Sequence, residues 1–241
     1  MTDLRRTPSI QHAAVLICDT VEETVYEMEK LDEKVIPFSL NPAKRLFKPL
    51  MEGFSLDWAL RQIKIEKNAR DIAPNTNLIK AFAPYAQQKS IPWFRECPAG
   101  TYYPIGNGIV IPVRPAGFWP VNGKFRVLWP QCWKSQNLTK KQLAIFNTIL
   151  RDSFFVGDFK TADLEWVDLG EKKPGQGRAL EILPGDSLGF IERSELAFYT
   201  NILSKAYEIH QANKRARKSE EKQKKKSEST LPLFEDHPNP I

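Results

Sequence analysis

The stretch from Ile91 to Trp133 constrains the possible folds of this chain more than any other feature. It contains four of the six tryptophans and the dipeptide Asn122-Gly123, which lies between two short apolar segments. Asn-Gly supplies the positive φ angles that a two-residue type I′ turn needs. Apolar residues then recur at every second position after the turn: Phe125, Val127 and Trp129. This stretch therefore predicts a β-hairpin, and we expect the neighbouring helices to pack against it.

Helix and strand signals flank the hairpin on both sides. Five helices are predicted. They are one from Thr20 to about Leu31, one capped by Ser55 and bounded by Pro74, one at Asn77–Gln87 whose end Pro84 weakens, one capped by Thr139 and one from about Glu195. Further strands are predicted at Gln11–Ile17, Ile109–Val113, Leu164–Leu169 and Arg178–Leu183. The fold class predicted from these signals is α+β, with a small antiparallel sheet and packed helices.

Apolar periodicity also predicts the domain organisation. Residues 10–209 form one predicted α+β domain, and residues 1–9 are predicted to be disordered. Beyond Ile209 the apolar positions disappear while charged residues continue, so we expect the last helix to leave the domain and fray. Residues 210–241 are thus predicted to be a basic helix extension followed by a disordered tail with a short apolar motif.

The net charge of +6 is concentrated near the C-terminus. The run from Lys214 to Lys226 contains only two acidic residues, both glutamates. Its eight basic residues are Lys214, Arg215, Arg217, Lys218, Lys222, Lys224, Lys225 and Lys226. Each phosphate that such cations neutralise releases counterions, so the run predicts sequence-independent binding of DNA or RNA. The alternative is a solvated helix end that promotes solubility. A membrane partner is not expected, because the run has no apolar face to insert.

A short apolar motif follows the basic run. It consists of Thr230, Leu231, Pro232, Leu233 and Phe234 within polar surroundings. The motif resembles the pentapeptide Gln-Leu-(Ser/Asp/Pro)-Leu-Phe with which bacterial polymerases, mismatch-repair proteins and plasmid proteins dock on the DNA sliding clamp. The resemblance implies that the two leucines and the phenylalanine would fill a hydrophobic pocket of the clamp. Thr230 stands where the family has Gln, which predicts weaker binding.

The aromatic stretch also suggests a nucleic-acid surface. Arg126 and Trp129, on the second arm of the hairpin, are candidates for contacting phosphates and stacking bases, as in single-strand binding proteins. The alternative is that the tryptophans fill the core of a small sheet.

Catalytic signals are weak, and a non-enzymatic role is favoured. The three histidines lie near the chain ends, and the three cysteines are far apart without a Cys-x-x-Cys pair. This pattern predicts free thiols in a reducing cytoplasm and neither a disulfide framework nor a zinc site. No cofactor is expected. The alternative is a Mg²⁺-dependent nuclease that uses Asp158, Lys160, Asp163 and Glu165, where carboxylates would hold the cation and the lysine would polarise water.

The sequence therefore favours a bacterial, cytoplasmic, DNA-associated accessory protein of replication, repair or a mobile element such as a plasmid. Its expected partners are the sliding clamp and nucleic acid. No secretory signal or membrane-spanning segment is expected. A protein-binding scaffold or antitoxin-like module is a further alternative.

Overall fold

The structure is a computed structural model that describes residues 5–33, 38–89, 91, 93–98, 101–134, 138–173 and 175–228. In chain order these residues form β1 (Arg5–Arg6), α1 (Ile10–Leu16), α2 (Val21–Glu33), α3 (Asn41–Arg45), α4 (Phe47–Met51), α5 (Leu56–Lys64), α6 (Ala69–Lys89), β2 (Tyr102–Gly106), β3 (Ile109–Pro112), β4 (Gly117–Val121), β5 (Lys124–Gln131), α7 (Lys140–Phe154), β6 (Asp163–Asp168), β7 (Glu181–Pro184) and α8 (Arg193–Glu228). The predicted α+β class is confirmed.

The hairpin predicted at Asn122-Gly123 is present as strands β4 and β5. Their antiparallel register pairs Val121 with Lys124 and Gly117 with Leu128. Asn122 and Gly123 have φ angles of 49° and 77°, as a type I′ turn requires. The turn chemistry therefore determines the register of the longest antiparallel pair in the described chain.

The hairpin belongs to a four-stranded sheet with the order β4-β5-β6-β7. The expectation of an antiparallel sheet is wrong at its centre, because β5 and β6 are parallel, with Trp129 opposite Trp166. Between them the chain passes through α7, so that it returns to the same end of the sheet before β6 begins. The sheet is therefore mixed, with antiparallel pairs at its two edges.

Both faces of this sheet are covered. Val127 and Trp129 of β5 belong to one buried cluster, together with residues of α1, α7 and α8. Leu128 points to the other face, where the second cluster contains residues of α3 to α6. Side chains alternate between the two faces of a strand, so burial on both faces requires an almost continuous apolar segment. The central strands thus lie between two helical layers.

The N-terminal residues take part in the fold. Arg5 and Arg6 form a short parallel pair with β3, and Thr7 N donates a 3.0 Å hydrogen bond to Val110 O. The prediction that residues 1–9 are disordered is therefore wrong for residues 5–9. The strand predicted at Gln11–Ile17 is also wrong, because this segment is helix α1. Ile10, both alanines and Leu16 enter the core, so the buried positions do not alternate as those of a strand would.

Pro74 does not bound the helix capped by Ser55 as predicted, because that helix, α5, already ends at Lys64. Helix α6 runs through both Pro74 and Pro84. A proline lacks the N–H that would bond to the carbonyl four residues earlier. Beside Pro74, the side-chain amide of Asn75 donates to Asp71 O at 2.6 Å and to Ser39 O at 2.7 Å. These buried bonds support the turn that the proline weakens.

The predicted helix starts at Thr20, Ser55 and Thr139 are confirmed by capping contacts. Thr139 Oγ1 accepts from Gln142 N at 3.2 Å, and Gln142 Oε1 accepts from Thr139 N at 2.9 Å. Ser55 Oγ accepts from Trp58 N at 3.2 Å, and Thr20 Oγ1 accepts from Glu23 N at 3.2 Å. Local sequence therefore sets these three starts. No helix in the described part of the chain is long and apolar enough to cross a membrane.

Candidate nucleic-acid interface

Helix α8 carries most of the residues that the sequence assigned to nucleic-acid binding. It is continuous over 36 residues. Its first half is buried through Leu196, Tyr199, Leu203 and Ala206, as predicted. The prediction that the helix leaves the domain after Ile209 is wrong, because its next two turns lie against α2.

Polar contacts hold this part of α8 to α2. His210 Nε2 lies 2.8 Å from Asp32 Oδ2, and Lys214 Nζ donates to the same oxygen at 2.6 Å. One turn later, Arg217 Nη2 donates to Glu29 Oε1 at 3.0 Å. These α8 positions recur at intervals of three to four residues, so they lie on one face of the helix.

The electrostatics of this contact favour the ionised carboxylate. Burial raises the pKa of Asp32, but hydrogen bonds from Lys214 and His210 outweigh this effect and leave the pKa below its usual value. His210 is buried, and its Nδ1 has no hydrogen-bond partner among the described residues. The contact is thus a polar latch between α2 and α8, defined by Glu29, Asp32, His210, Lys214 and Arg217.

The latch divides the basic run into two sets of side chains. Lys214 and Arg217 face α2, where carboxylates neutralise them. Arg215, Lys218 and Lys222 are exposed, and none of the three has an ion partner in the described part of the chain. These three cations are therefore free to meet phosphates. The backbones of Lys224, Lys225 and Lys226 continue α8, but their side chains lie outside the description.

The predicted clamp motif cannot be placed. Thr230, Leu231, Pro232, Leu233 and Phe234 all lie outside the described residues, beyond Glu228. In the sequence the motif begins two residues after Glu228, the last residue of α8.

Trp129 and Arg126, the two hairpin residues predicted to contact nucleic acid, contact other residues of the domain. Trp129 is only 6% exposed, and its ring packs edge-on against Phe146 with centroids 4.7 Å apart. Its indole N–H points to Gln11 Oε1 at 3.4 Å. A base cannot stack on a face that the core already covers, so the assignment of Trp129 as a stacking platform is wrong.

Arg126 belongs to a charged cluster around Glu165. Glu165 Oε1 accepts from Arg126 Nη1 at 2.8 Å and from Lys89 Nζ at 3.0 Å. The other carboxylate oxygen, Oε2, accepts from the Tyr85 hydroxyl at 2.5 Å. Burial, reinforced by the negative charge of Glu165, raises the pKa of Tyr85 far above its usual value. Tyr85 is therefore a permanent donor, and both oxygens of Glu165 are occupied.

This cluster argues against the nuclease alternative. Glu165 is already neutralised by two cations, and Asp158 and Lys160 lie on or beside an exposed short turn. Among the described residues, no group of three or more His, Cys, Asp or Glu side chains could hold a metal ion. The structure thus does not bring Asp158, Asp163 and Glu165 to a shared cation position.

The residues that the sequence analysis missed are those that contact distant segments. Tyr85 and Lys89 lie 80 and 76 positions from Glu165, and Asp32 lies 178 positions from His210. The spacing of Glu29 and Asp32 does match that of Lys214 and Arg217, which is a weak signal for two facing helices. Nothing local in the sequence indicates which charged faces meet.

Comparison with known proteins gives no relative. No family model, curated protein or solved structure matches this chain.

Proposed function

We propose that this protein is a DNA-associated accessory protein of bacterial replication, repair or a mobile element. It docks on the sliding clamp through Thr230–Phe234 and contacts nucleic acid through the basic run. The observation that supports this proposal best is the arrangement of α8. The helix is latched to the domain, exposes a row of free cations and leads to the apolar motif.

The exposed cations give this proposal its nucleic-acid component. Arg215, Lys218 and Lys222 recur every three or four residues, so they form one stripe along α8. Three neutralised phosphates would give binding that falls steeply with salt and does not depend on base sequence. Because a clamp encircles DNA, a basic stripe beside a clamp-binding motif would contact the same duplex.

The apolar motif gives the clamp component. Leu231, Leu233 and Phe234 offer a compact set of large apolar side chains next to a strongly polar run. Burial in a groove removes this apolar surface from water, which is the main favourable term in binding of such peptides.

Clamp docking can be tested by titrating the full chain with a purified bacterial sliding clamp. The expected result is saturable micromolar binding that Phe234→Ala weakens at least 10-fold. Phe190→Ala is a matched control, because Phe190 is an exposed phenylalanine of the domain. Absence of binding at high micromolar concentration, or equal binding by Phe234→Ala, would contradict docking.

Nucleic-acid binding can be tested separately with the triple variant Arg215→Gln, Lys218→Gln and Lys222→Gln. Each lost phosphate contact reduces the slope of log K against log salt by about 0.9 for duplex DNA, so we expect a reduction of about 2–3. The control replaces three exposed lysines elsewhere, Lys64, Lys67 and Lys80, and removes the same charge. Identical slopes for both variants would exclude α8 as the interface.

A further inference from the structure

The domain also has a cleft of about 660 Å³, which is lined neither by the polar latch, nor by the exposed cations of α8, nor by the Glu165 cluster. Its walls come from α1 and the residues just before it, from α3 and α4, from residues 96–98, from the segment after β3 and from the carboxyl end of β5. The residues that matter for its chemistry are His12, Lys44, Lys48, Glu96, Arg114 and Trp133. A cleft of this volume lies within the range of small-molecule sites, which is about 300–1,000 Å³.

The charges around this cleft are predominantly positive. Lys44, Lys48 and Arg114 line it, and none of them has an ion partner in the described part of the chain. Glu96 is the one acidic residue among the described lining residues. Burial, with a further contribution from the charge of Lys44, lowers the pKa of His12. His12 is therefore neutral at pH 7, and the surplus of cations favours an anionic ligand.

One wall of the cleft is aromatic and rigid. The rings of His12 and Trp133 pack edge-on with centroids 4.6 Å apart. Trp133 N donates to Gln131 Oε1 at 2.6 Å, and Gln11 Nε2 donates to the same oxygen at 2.9 Å. Gln11 and Gln131 are both buried, so this network holds α1 and the end of β5 in a fixed relation. Such a wall is preorganised for a planar ligand.

The position of the cleft fits a ligand site in a sheet with parallel strands. Trp129, Cys132 and Trp133 lie at or just beyond the carboxyl end of β5, the strand that pairs in parallel with β6. In open α/β sheets ligands bind outside the carboxyl ends of parallel strands, and β5 and β6 are the parallel pair of this sheet.

We infer that this cleft binds a nucleoside phosphate. Lys44, Lys48 and Arg114 would contact the phosphate, and Trp133 with His12 would contact the base. Lysine and arginine are the usual partners of phosphate oxygens, while aromatic rings stack on nucleobases without strong base preference. A simple anion would use the cations but not the aromatic wall. The ligand is either a free nucleotide or the phosphorylated end of a single strand, since both present the same chemical group.

Isothermal titration of the full chain tests this inference with five probes: AMP, adenosine, inorganic phosphate, a 5′-phosphorylated oligothymidylate and its 5′-hydroxyl form. We expect AMP or the phosphorylated strand to bind at least 10-fold more tightly than adenosine and phosphate. Tighter binding of AMP identifies a free nucleotide as the ligand, and tighter binding of the phosphorylated strand identifies a strand end. Equal binding of phosphate and both nucleotide probes, or no binding at millimolar concentration, overturns the inference.

Variants then place the binding in this cleft. Lys44→Gln with Arg114→Gln should weaken nucleotide binding at least 10-fold, because both side chains are exposed cations of the cleft. Arg61→Gln with Lys64→Gln removes the same charge from α5 and should have no effect. Trp133→Ala should weaken binding more than Trp93→Ala, which removes an exposed tryptophan outside the cleft. Equal effects of the cleft and control variants overturn the inference. If Phe234→Ala leaves nucleotide binding unchanged, nucleotide binding is independent of clamp docking.

Discussion

The hydroxyl of Tyr85 donates a 2.5 Å hydrogen bond to Glu165 Oε2 and thereby connects α6 to the central strand β6. The pair lies on the face of the sheet that α3 to α6 cover. Tyr85 is fully buried, and Glu165 is 8% exposed. A carboxylate in such a place is tolerated because Lys89 and Arg126 neutralise it. The cluster therefore joins one helical layer to the sheet through charge as well as through apolar contact.

Removal of this hydroxyl should destabilise the domain. Tyr85→Phe leaves Glu165 Oε2 without its donor, and a buried acceptor without a partner costs about 1–3 kcal/mol. Urea unfolding should show this loss of unfolding free energy. Tyr26→Phe, at a tyrosine that is 59% exposed, should change it by less than about 0.5 kcal/mol. Equal stability of the two variants would contradict a structural role for the Tyr85 hydroxyl.

The polar latch should weaken in acid. The folded-state pKa of Asp32 is lowered from its ordinary 3.8, so its stabilising contribution is present above pH 3.8 and is lost as the pH falls through the folded pKa. Asp32→Asn should mimic this loss at neutral pH. Hydrogen exchange should then become faster for residues 210–220 of α8.

The expected change in global stability is small, because exposed ion pairs contribute about 0–1 kcal/mol each. Glu22→Gln, on the same helix but without an ion pair in the described structure, is the matched control. If amide hydrogens of residues 210–220 exchange as slowly in both variants as in the unmodified protein, Asp32 does not hold α8 in place.

Two glycines of the hairpin should differ in their tolerance of alanine. A Cβ at Gly117 would overlap the Phe94 ring and lie 2.5 Å from Arg95 O, whereas a Cβ at Gly123 would have no neighbour within 4 Å. Phe94 is fully buried, so its ring has neighbours on all sides. Overpacking of this kind costs about 1–3 kcal/mol, and we expect Gly117→Ala near the upper end.

Gly123→Ala should cost about 1–2 kcal/mol, because only its φ of +77° is unfavourable for a residue with a Cβ. Chemical denaturation of both variants measures the difference. A larger loss for Gly123→Ala would show that turn conformation outweighs packing at this hairpin.

The Cys132 thiol should be protected from alkylation. Cys132 is 4% exposed, and burial raises its pKa to about 11. The reactive thiolate is thus scarce at pH 8. With iodoacetamide, we expect Cys132 to react at least 10-fold more slowly than Cys18, which is only partly buried. Mass spectrometry of the alkylated peptides gives both rates, and equal rates would contradict this burial.

The same thiol should affect stability in base. Its folded pKa exceeds the ordinary 9.0, so its contribution is intact below pH 9 and is lost as the pH rises towards about 11. Cys132→Ala should remove this part of the pH dependence. An unchanged profile in the variant would assign the alkaline loss to other groups.

Several features of the fold could be predicted because neighbouring residues determine them. The Asn122-Gly123 turn requires positive φ angles, and the Thr139 capping box satisfies amides within one helical turn. Such contacts close over two to four residues, so a sequence pattern is sufficient to specify them. The α+β class followed from these local signals.

Other features could not be predicted, because they depend on which surfaces meet. The α1 segment reads as an apolar strand until its core partners are known, and Trp129 reads as an accessible aromatic until Phe146 covers it. The nucleoside phosphate cleft likewise combines side chains from five separate segments.

In the basic run, some properties follow from the sequence alone and others from the tertiary structure. The sequence alone determined its charge and its helical spacing. Only the tertiary structure decided that Lys214 and Arg217 pair with α2 while Arg215, Lys218 and Lys222 remain exposed. Charge is a property of each residue, whereas neutralisation requires a carboxylate that the fold brings within 4 Å from more than 170 positions away.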